Sequence, residues 1–67
     1  MSSVGEEFPK EQARVREVLG HYRDIGPSGA FGAAMIEQAL READAAMASG
    51  DVVRIVRSFA ELKKIES

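Results

Sequence analysis

Cysteine is absent from this chain of 67 residues, and histidine occurs only once, at position 21. The lack of cysteine excludes a disulfide framework and any thiolate site. One histidine leaves too few nitrogen ligands for an ordinary zinc site, so we expect no metal or other cofactor. A chain this short forms one domain at most and buries only about 60% of the surface of its unfolded state. Stability must therefore come from close helix packing or from self-association.

Long apolar runs and an excess of basic residues are also missing. No run approaches the ~20 residues of a membrane-spanning helix, so we expect no membrane contact. The chain has 9 Lys and Arg residues against 11 Asp and Glu residues, a net charge of -2. This charge balance argues against sequence-independent binding to nucleic acid, because such binding needs clustered basic residues. Residues 1–10 lack the basic and then apolar pattern of a secretory signal, so we expect a cytoplasmic protein.

The spacing of apolar residues predicts an all-α fold, a small three-helix bundle with helices over about 9–24, 29–49 and 52–65. Residues 1–7 are polar and unpatterned, and we predict that they form a flexible tail ahead of a single helical domain. Pro9 suits the first position of a helix, where its missing N–H costs nothing.

The link between the second and third helices carries clear turn signals. Gly50 fits the position just after a helix, and Asp51 fits the N-cap of the next one. So short a link predicts an antiparallel hairpin of these two helices. The β-branched run at 52–56 also suggests a strand, but it does not alternate and Arg54 interrupts it, so we predict a helix there.

The stretch "DIGPSGAFGAAMI" at 24–36 holds three glycines and a proline, and it has two interpretations. A glycine-rich loop before a helix can cradle an anion. However, the Lys and Ser/Thr of a phosphate loop are missing, and no strand precedes it. The alternative is a turn capped by Ser28 and followed by a close-packing helix face. The small pairs that would form this face are Gly29 with Ala33 and Ala30 with Ala34.

Phe31 is a large apolar residue at the very start of the second helix, and it too has two interpretations. It could fold back over the first or third helix as part of the core. If it stays exposed together with Met35 and Met47, the three form an adaptable apolar surface for a partner.

Two further groups of polar residues could carry chemistry. His21 and Asp24 are three residues apart and could form a general base, but no nucleophile stands out to be activated. We therefore predict that the protein is not an enzyme. Arg54, Arg57 and Lys64 could share one stripe of the third helix and contact nucleic acid in the manner of a helix-turn-helix. The acidic cap at Asp51 and the net negative charge weaken that alternative.

Four segments support a resemblance over residues 8–63: "GP" at 26–27, "FGAAMIE" at 31–37, "LREAD" at 40–44 and "SGD" at 49–51. In these the chain resembles short uncharacterised helical proteins of proteobacteria, some of them in phage-like regions. The resemblance implies a bacterial or phage origin. It implies no activity and no site residue.

The sequence thus favours a small non-enzymatic protein–protein interaction module, which binds another protein or a second copy of itself. One alternative is a small DNA-associated regulator that uses the basic stripe of the third helix. Another is a phage-encoded inhibitor of a host protein. The salt dependence of binding distinguishes the interaction module from the DNA-associated regulator, because binding to DNA weakens steeply with salt and apolar docking does not.

Overall fold

The computed structural model describes residues 3–66 as a bundle of three helices. The helices are α1 at Val4–Ile25, α2 at Ala30–Ser49 and α3 at Val52–Lys63, with a 3-10 turn at Pro27–Gly29 between the first two. No strand occurs in this part of the chain. The predicted all-α class is therefore confirmed, and residues 52–56 are helical. No helix within residues 3–66 has the length and apolar character needed to cross a bilayer.

The first helix begins before Pro9, so the predicted flexible tail is wrong for residues 4–7; residues 1 and 2 lie outside the described residues. The Ser3 hydroxyl accepts a hydrogen bond from the Glu6 N–H at 3.2 Å and caps the helix. Phe8 is fully buried, and its ring stacks on Phe59 at 5.9 Å between centroids. Pro9 lies in the second turn, where it lacks the N–H that would reach the Gly5 carbonyl. The burial of Phe8 offsets the loss of this backbone hydrogen bond.

The turn between α1 and α2 differs from the prediction in its cap. Gly26 ends α1 with φ at 90°, a conformation that favours glycine, and the fixed φ of Pro27 then starts a 3-10 turn. Ser28 lies inside that turn, and α2 starts after Gly29 without a hydrogen bond from any side chain to its first turn. The predicted N-cap role of Ser28 is therefore wrong.

The turn between α2 and α3 follows the prediction. Gly50 is left-handed, with φ at 70°. The Asp51 side chain accepts hydrogen bonds from the N–H groups of Val53 at 3.0 Å and Arg54 at 3.3 Å. Because this link is so short, α3 runs antiparallel to α2 and packs against it.

Contacts between helices show an up-down-up arrangement. Gln12 on α1 donates to Asp44, near the end of α2, and Arg23 donates to Glu37, nearer its start. These pairs make α1 and α2 antiparallel, so α3 is parallel to α1. The core between them is built from apolar residues of all three helices: Phe8, Val15, Val18, Leu19, Ala33, Ile36, Leu40, Ala43 and Leu62.

The third helix ends at Lys63, two residues before its predicted end. Arg14 on α1 donates to the Leu62 carbonyl at 2.9 Å and to the Ile65 carbonyl at 2.8 Å. Glu11 holds the guanidinium in place through a hydrogen bond of 2.7 Å. The two hydrogen bonds from Arg14 satisfy carbonyl groups at the end of α3 and draw Ile65 against the core, so the helix does not continue.

Candidate docking surface

Phe31 and Met35 lie side by side near the start of α2, and both are exposed, Phe31 at 79% and Met35 at 60%. They are four residues apart, which places them on one side of the helix. Ile25, the last residue of α1, is also 60% exposed. Phe31 therefore does not fold back over α1 or α3. We call Ile25, Phe31 and Met35 the open-end surface.

Met47 does not belong to this surface. It follows Met35 by 12 residues (47 − 35), which is about 18 Å along the helix axis and about a third of a turn around it. Its exposure is 40%, near the opposite end of α2. The structure thus brings together Phe31 and Met35 of the predicted surface and separates Met47 from them.

The open end exists because α3 is short. The helices have 22, 20 and 12 residues in chain order, or lengths of about 33, 30 and 18 Å. Since α3 starts at the far end of α2, it stops more than two turns before α2 begins. The ends of α1 and α2 that meet at Pro27–Gly29 therefore have no third helix against them.

An open cleft of about 290 Å³ adjoins the open-end surface at Met35. Its floor includes the half-buried ring of Tyr22, which packs so closely on Gly32 that a Cβ there would lie 2.5 Å from the ring. Lys64 and Glu66 provide one charge of each sign at its edge. The cleft is lined by Tyr22, Gly32, Met35, Ile36, Lys64, Ile65 and Glu66. Its walls are mostly apolar, and its charges balance.

Gly29, in the turn between α1 and α2, allows the two helices to pack closely. A Cβ on Gly29 would lie 2.2 Å from the Tyr22 carbonyl oxygen, so α1 can approach the start of α2 only at a glycine. The Gly29 N–H already donates to the Gly26 carbonyl at 2.9 Å, which takes it away from any anion. Gly29 and Ala33 are buried, as the close-packing interpretation requires, whereas Ala30 and Ala34 are exposed.

The predicted basic stripe of α3 is largely neutralised by acidic neighbours. Arg54 donates to both carboxylate oxygens of Glu42 on α2, at 2.8 and 3.3 Å. Lys64 pairs with Glu61 at 3.2 Å. Arg57 lines a cleft of about 420 Å³ whose wall also includes Glu42, Asp51 and Glu61. Three carboxylates around two guanidinium groups form a poor surface for phosphates.

The pair of Glu42 and Arg54 makes a testable prediction about protonation. The hydrogen bond from Arg54, helped by its charge, lowers the pKa of Glu42 below its ordinary value of 4.5. The same contact raises the pKa of Arg54. A lowered pKa in the folded state stabilises the fold above the unfolded pKa, and this contribution disappears as pH falls through the folded pKa.

We expect an NMR titration of the Glu42 side chain to show a midpoint below 4.5. The variant Arg54→Gln should bring the midpoint back toward the ordinary value, because the charged donor is lost. The variant Arg57→Gln is the matched control and should leave it unchanged. Equal midpoints in the wild type and in Arg54→Gln would show that the two side chains do not pair in solution.

The remaining candidates for chemistry are dispersed. His21 and Asp24 are both exposed near the end of α1. A base there would need a nucleophile such as a serine, but Ser58 is buried on α3 and Ser28 is exposed in the turn between α1 and α2. Within residues 3–66, no three His, Asp or Glu side chains gather in a way that could hold a metal ion.

Sequence reasoning missed two residues of the open end, Ile25 and Tyr22. Both fit the periodicity of a helix face, and periodicity alone places such residues in the core. Part of the signal was present in the predicted lengths, because a third helix at 52–65 is shorter than the second at 29–49 and must leave part of it uncovered, although it is nearly as long as the predicted first helix. The chain matches no protein-family model, no curated protein and no solved structure. The open-end surface and its cleft are therefore the features from which a function follows.

Proposed function

We propose that this chain is a small, non-enzymatic protein–protein interaction module that docks an amphipathic helix of a partner protein on its open end. The observation that carries the proposal is the exposure of Ile25, Phe31 and Met35 at one end of the bundle, where Met35 also lines a cleft. Grouped apolar side chains of this kind on a small protein mark interaction sites. The proposal keeps the cytoplasm as the compartment and a bacterial or phage origin for the chain.

The shape of the open end favours a helix as the ligand. The partner segment would lie against the exposed ends of α1 and α2, beside residues 64–66, which follow α3 and line the cleft. Helices that dock in this way present apolar residues at spacings of three and four. The charges of Lys64 and Glu66 cancel at the cleft edge, so the docking face of the partner needs no net charge.

The size of the surface sets the expected affinity. Full burial of one such side chain contributes about 1.5–3 kcal/mol, and these three are about two-thirds exposed in the free chain. Their burial therefore contributes roughly 3–6 kcal/mol before the cost of association. Phe31 is the most exposed of the three and the natural anchor. We expect Phe31→Ala to weaken binding by about tenfold to a hundredfold.

The test compares proteins captured from a bacterial lysate by the immobilised wild type and by three variants. Phe31→Ala and Met35→Ala remove open-end side chains, and Met47→Ala is the control on the same helix. A ligand of the open end is retained by the wild type and the control and lost by the other two. Its purified form should then shift the amide signals of residues 22–36 in an NMR titration. Shifts confined to other residues would contradict the proposal.

Salt dependence separates this function from DNA binding. Apolar docking should change little between about 50 and about 200 mM salt, whereas binding through phosphate contacts falls steeply over that range. The ion pairs of Arg54 and Lys64 with carboxylates favour the first outcome. Binding that collapses with salt and is lost in Arg57→Gln would favour a nucleic-acid role instead.

A further inference from the structure

Residues 64–66, which follow α3, form one wall of the cleft at the open end, and we call them the wall segment. Two side chains of α1 hold this segment. Arg14 donates to the Ile65 carbonyl, and the Tyr22 hydroxyl donates to the Glu66 carbonyl at 3.4 Å. Tyr22 lines the cleft itself, whereas Arg14 lies outside it. We propose that Arg14 is a positioning residue for docking, which fixes the wall segment without touching the partner; this inference rests on the proposed function.

The sequence of the wall segment does not set its path. The segment contains neither glycine nor proline, the residues that usually end a helix. The N–H groups of Lys64 and Ile65 donate to carbonyls three residues back, at 3.2 and 3.1 Å, which makes a tight last turn. Such a turn at the end of a helix opens easily unless other contacts hold it. The contacts from α1 therefore determine where the wall segment lies.

Arg14 uses three nitrogen atoms for three partners. Its Nη1 donates to the Ile65 carbonyl at 2.8 Å, and its Nη2 donates to the Leu62 carbonyl at 2.9 Å. Its Nε donates to the Glu11 carboxylate at 2.7 Å, which fixes the orientation of the guanidinium. Hydrogen bonds with a charged donor are stronger than those between neutral groups. The position requires arginine, because lysine has a single nitrogen and cannot hold three partners in a plane.

Release of the wall segment would remove one side of the cleft. Ile65, which packs against the core, would lose its hold, and Lys64 and Glu66 would lose their fixed places at the cleft edge. A partner helix would then have to order the segment as it docks, and this ordering weakens binding. Arg14 keeps the wall in place before the partner arrives. We therefore expect the loss of Arg14 to weaken docking although Arg14 lies outside the cleft.

The first test measures backbone order parameters of the free chain by ¹⁵N relaxation. The Ile65 and Glu66 amides should lie close to the rigid value of about 0.85 in the wild type and fall below about 0.6 in Arg14→Gln and in Arg14→Lys. A role in overall stability alone would lower the unfolding midpoint and leave these order parameters unchanged. Arg16→Gln is the matched control, because Arg16 is exposed on the same helix, 4.0 Å from Asp44, and should leave them unchanged. Circular dichroism confirms that each variant is folded.

The second test measures docking with a synthetic amphipathic peptide of about 18 residues. It carries leucine at spacings of three and four, with equal numbers of Lys and Glu elsewhere. In an NMR titration followed at the Met35 and Ile36 amides, Arg14→Gln should raise the dissociation constant at least about fivefold, and Arg16→Gln less than about twofold.

The outcomes separate this inference from the proposed function. If the peptide leaves the Met35 and Ile36 signals of the wild type unchanged, the proposed function fails and the role of Arg14 in docking fails with it. If the wild type binds the peptide and Arg14→Gln binds it equally well, the role of Arg14 alone is overturned. Order parameters of Ile65 and Glu66 that stay at the wild-type value in both Arg14 variants overturn it as well.

Discussion

Replacing Gly29 by alanine should lower the free energy of unfolding by about 3 kcal/mol. A Cβ at this position would lie 2.2 Å from the carbonyl oxygen of Tyr22 and 3.1 Å from its carbonyl carbon. Both atoms belong to the backbone of α1, so no side chain can rotate away to relieve the contact. The chain must instead move α1 away from the start of α2. The φ of Gly29 is -91°, so alanine adds steric conflict without backbone strain.

Thermal and urea unfolding followed by circular dichroism measures this effect. A loss of about 3 kcal/mol corresponds to a fall in midpoint of about 12–24 °C for a domain of this size. Gly20→Ala is the matched control, because nothing lies within 4 Å of a Cβ there and the residue is inside a helix. The control should gain about 0.5–1 kcal/mol. Equal effects at the two positions would show that α1 and the turn do not approach as described.

Replacing Phe8 by alanine should cost about 3–5 kcal/mol. Phe8 is fully buried, and its ring stacks on Phe59 of α3. The substitution removes a ring that joins the start of α1 to α3 and leaves a cavity between them. Domains of this length have a total stability of about 3–10 kcal/mol, so the variant should lose most of its cooperative unfolding at room temperature.

Phe31→Ala makes the same chemical change at an exposed residue and serves as the control. Its effect on the free energy of unfolding should stay within about 0.5 kcal/mol, because the ring has little contact to lose. The two variants together separate the residue that builds the core from the one that forms the open-end surface. If Phe8→Ala were as stable as Phe31→Ala, the start of α1 would not be part of the core.

The helices themselves could be predicted because their signals are local. The turn at Gly50 and Asp51 shows this well: a left-handed glycine and an acidic N-cap lie within two residues, and the structure has both. The start of α1 could not be found in this way. Pro9 has a strong local preference for the first helical position, but the contact of Phe8 with Phe59, 51 residues along the chain (59 − 8), outweighs it.

The candidate site was predictable in its residue types and only partly in its position. Phe31 and Met35 stood out as apolar residues near a helix start, but their exposure depends on where α3 ends. That end is set by Arg14, which binds carbonyls 48 and 51 residues away in sequence. Met47 has the same apolar side chain as Met35, but the two residues lie about 18 Å apart along α2. The spacing of apolar residues shows which side of a helix is apolar. It does not show which neighbouring helix, if any, covers that side.

The exposure of Phe31 in solution is the most direct test of the proposed docking surface. Hydroxyl-radical labelling with mass spectrometry measures it at low protein concentration. Phe8 provides an internal reference of the same chemistry in the same molecule. We expect Phe31 to be labelled many times faster than Phe8, and Met35 to react as well. Labelling of Phe31 as slow as that of Phe8 would mean that the open end is covered, and it would contradict the proposed function.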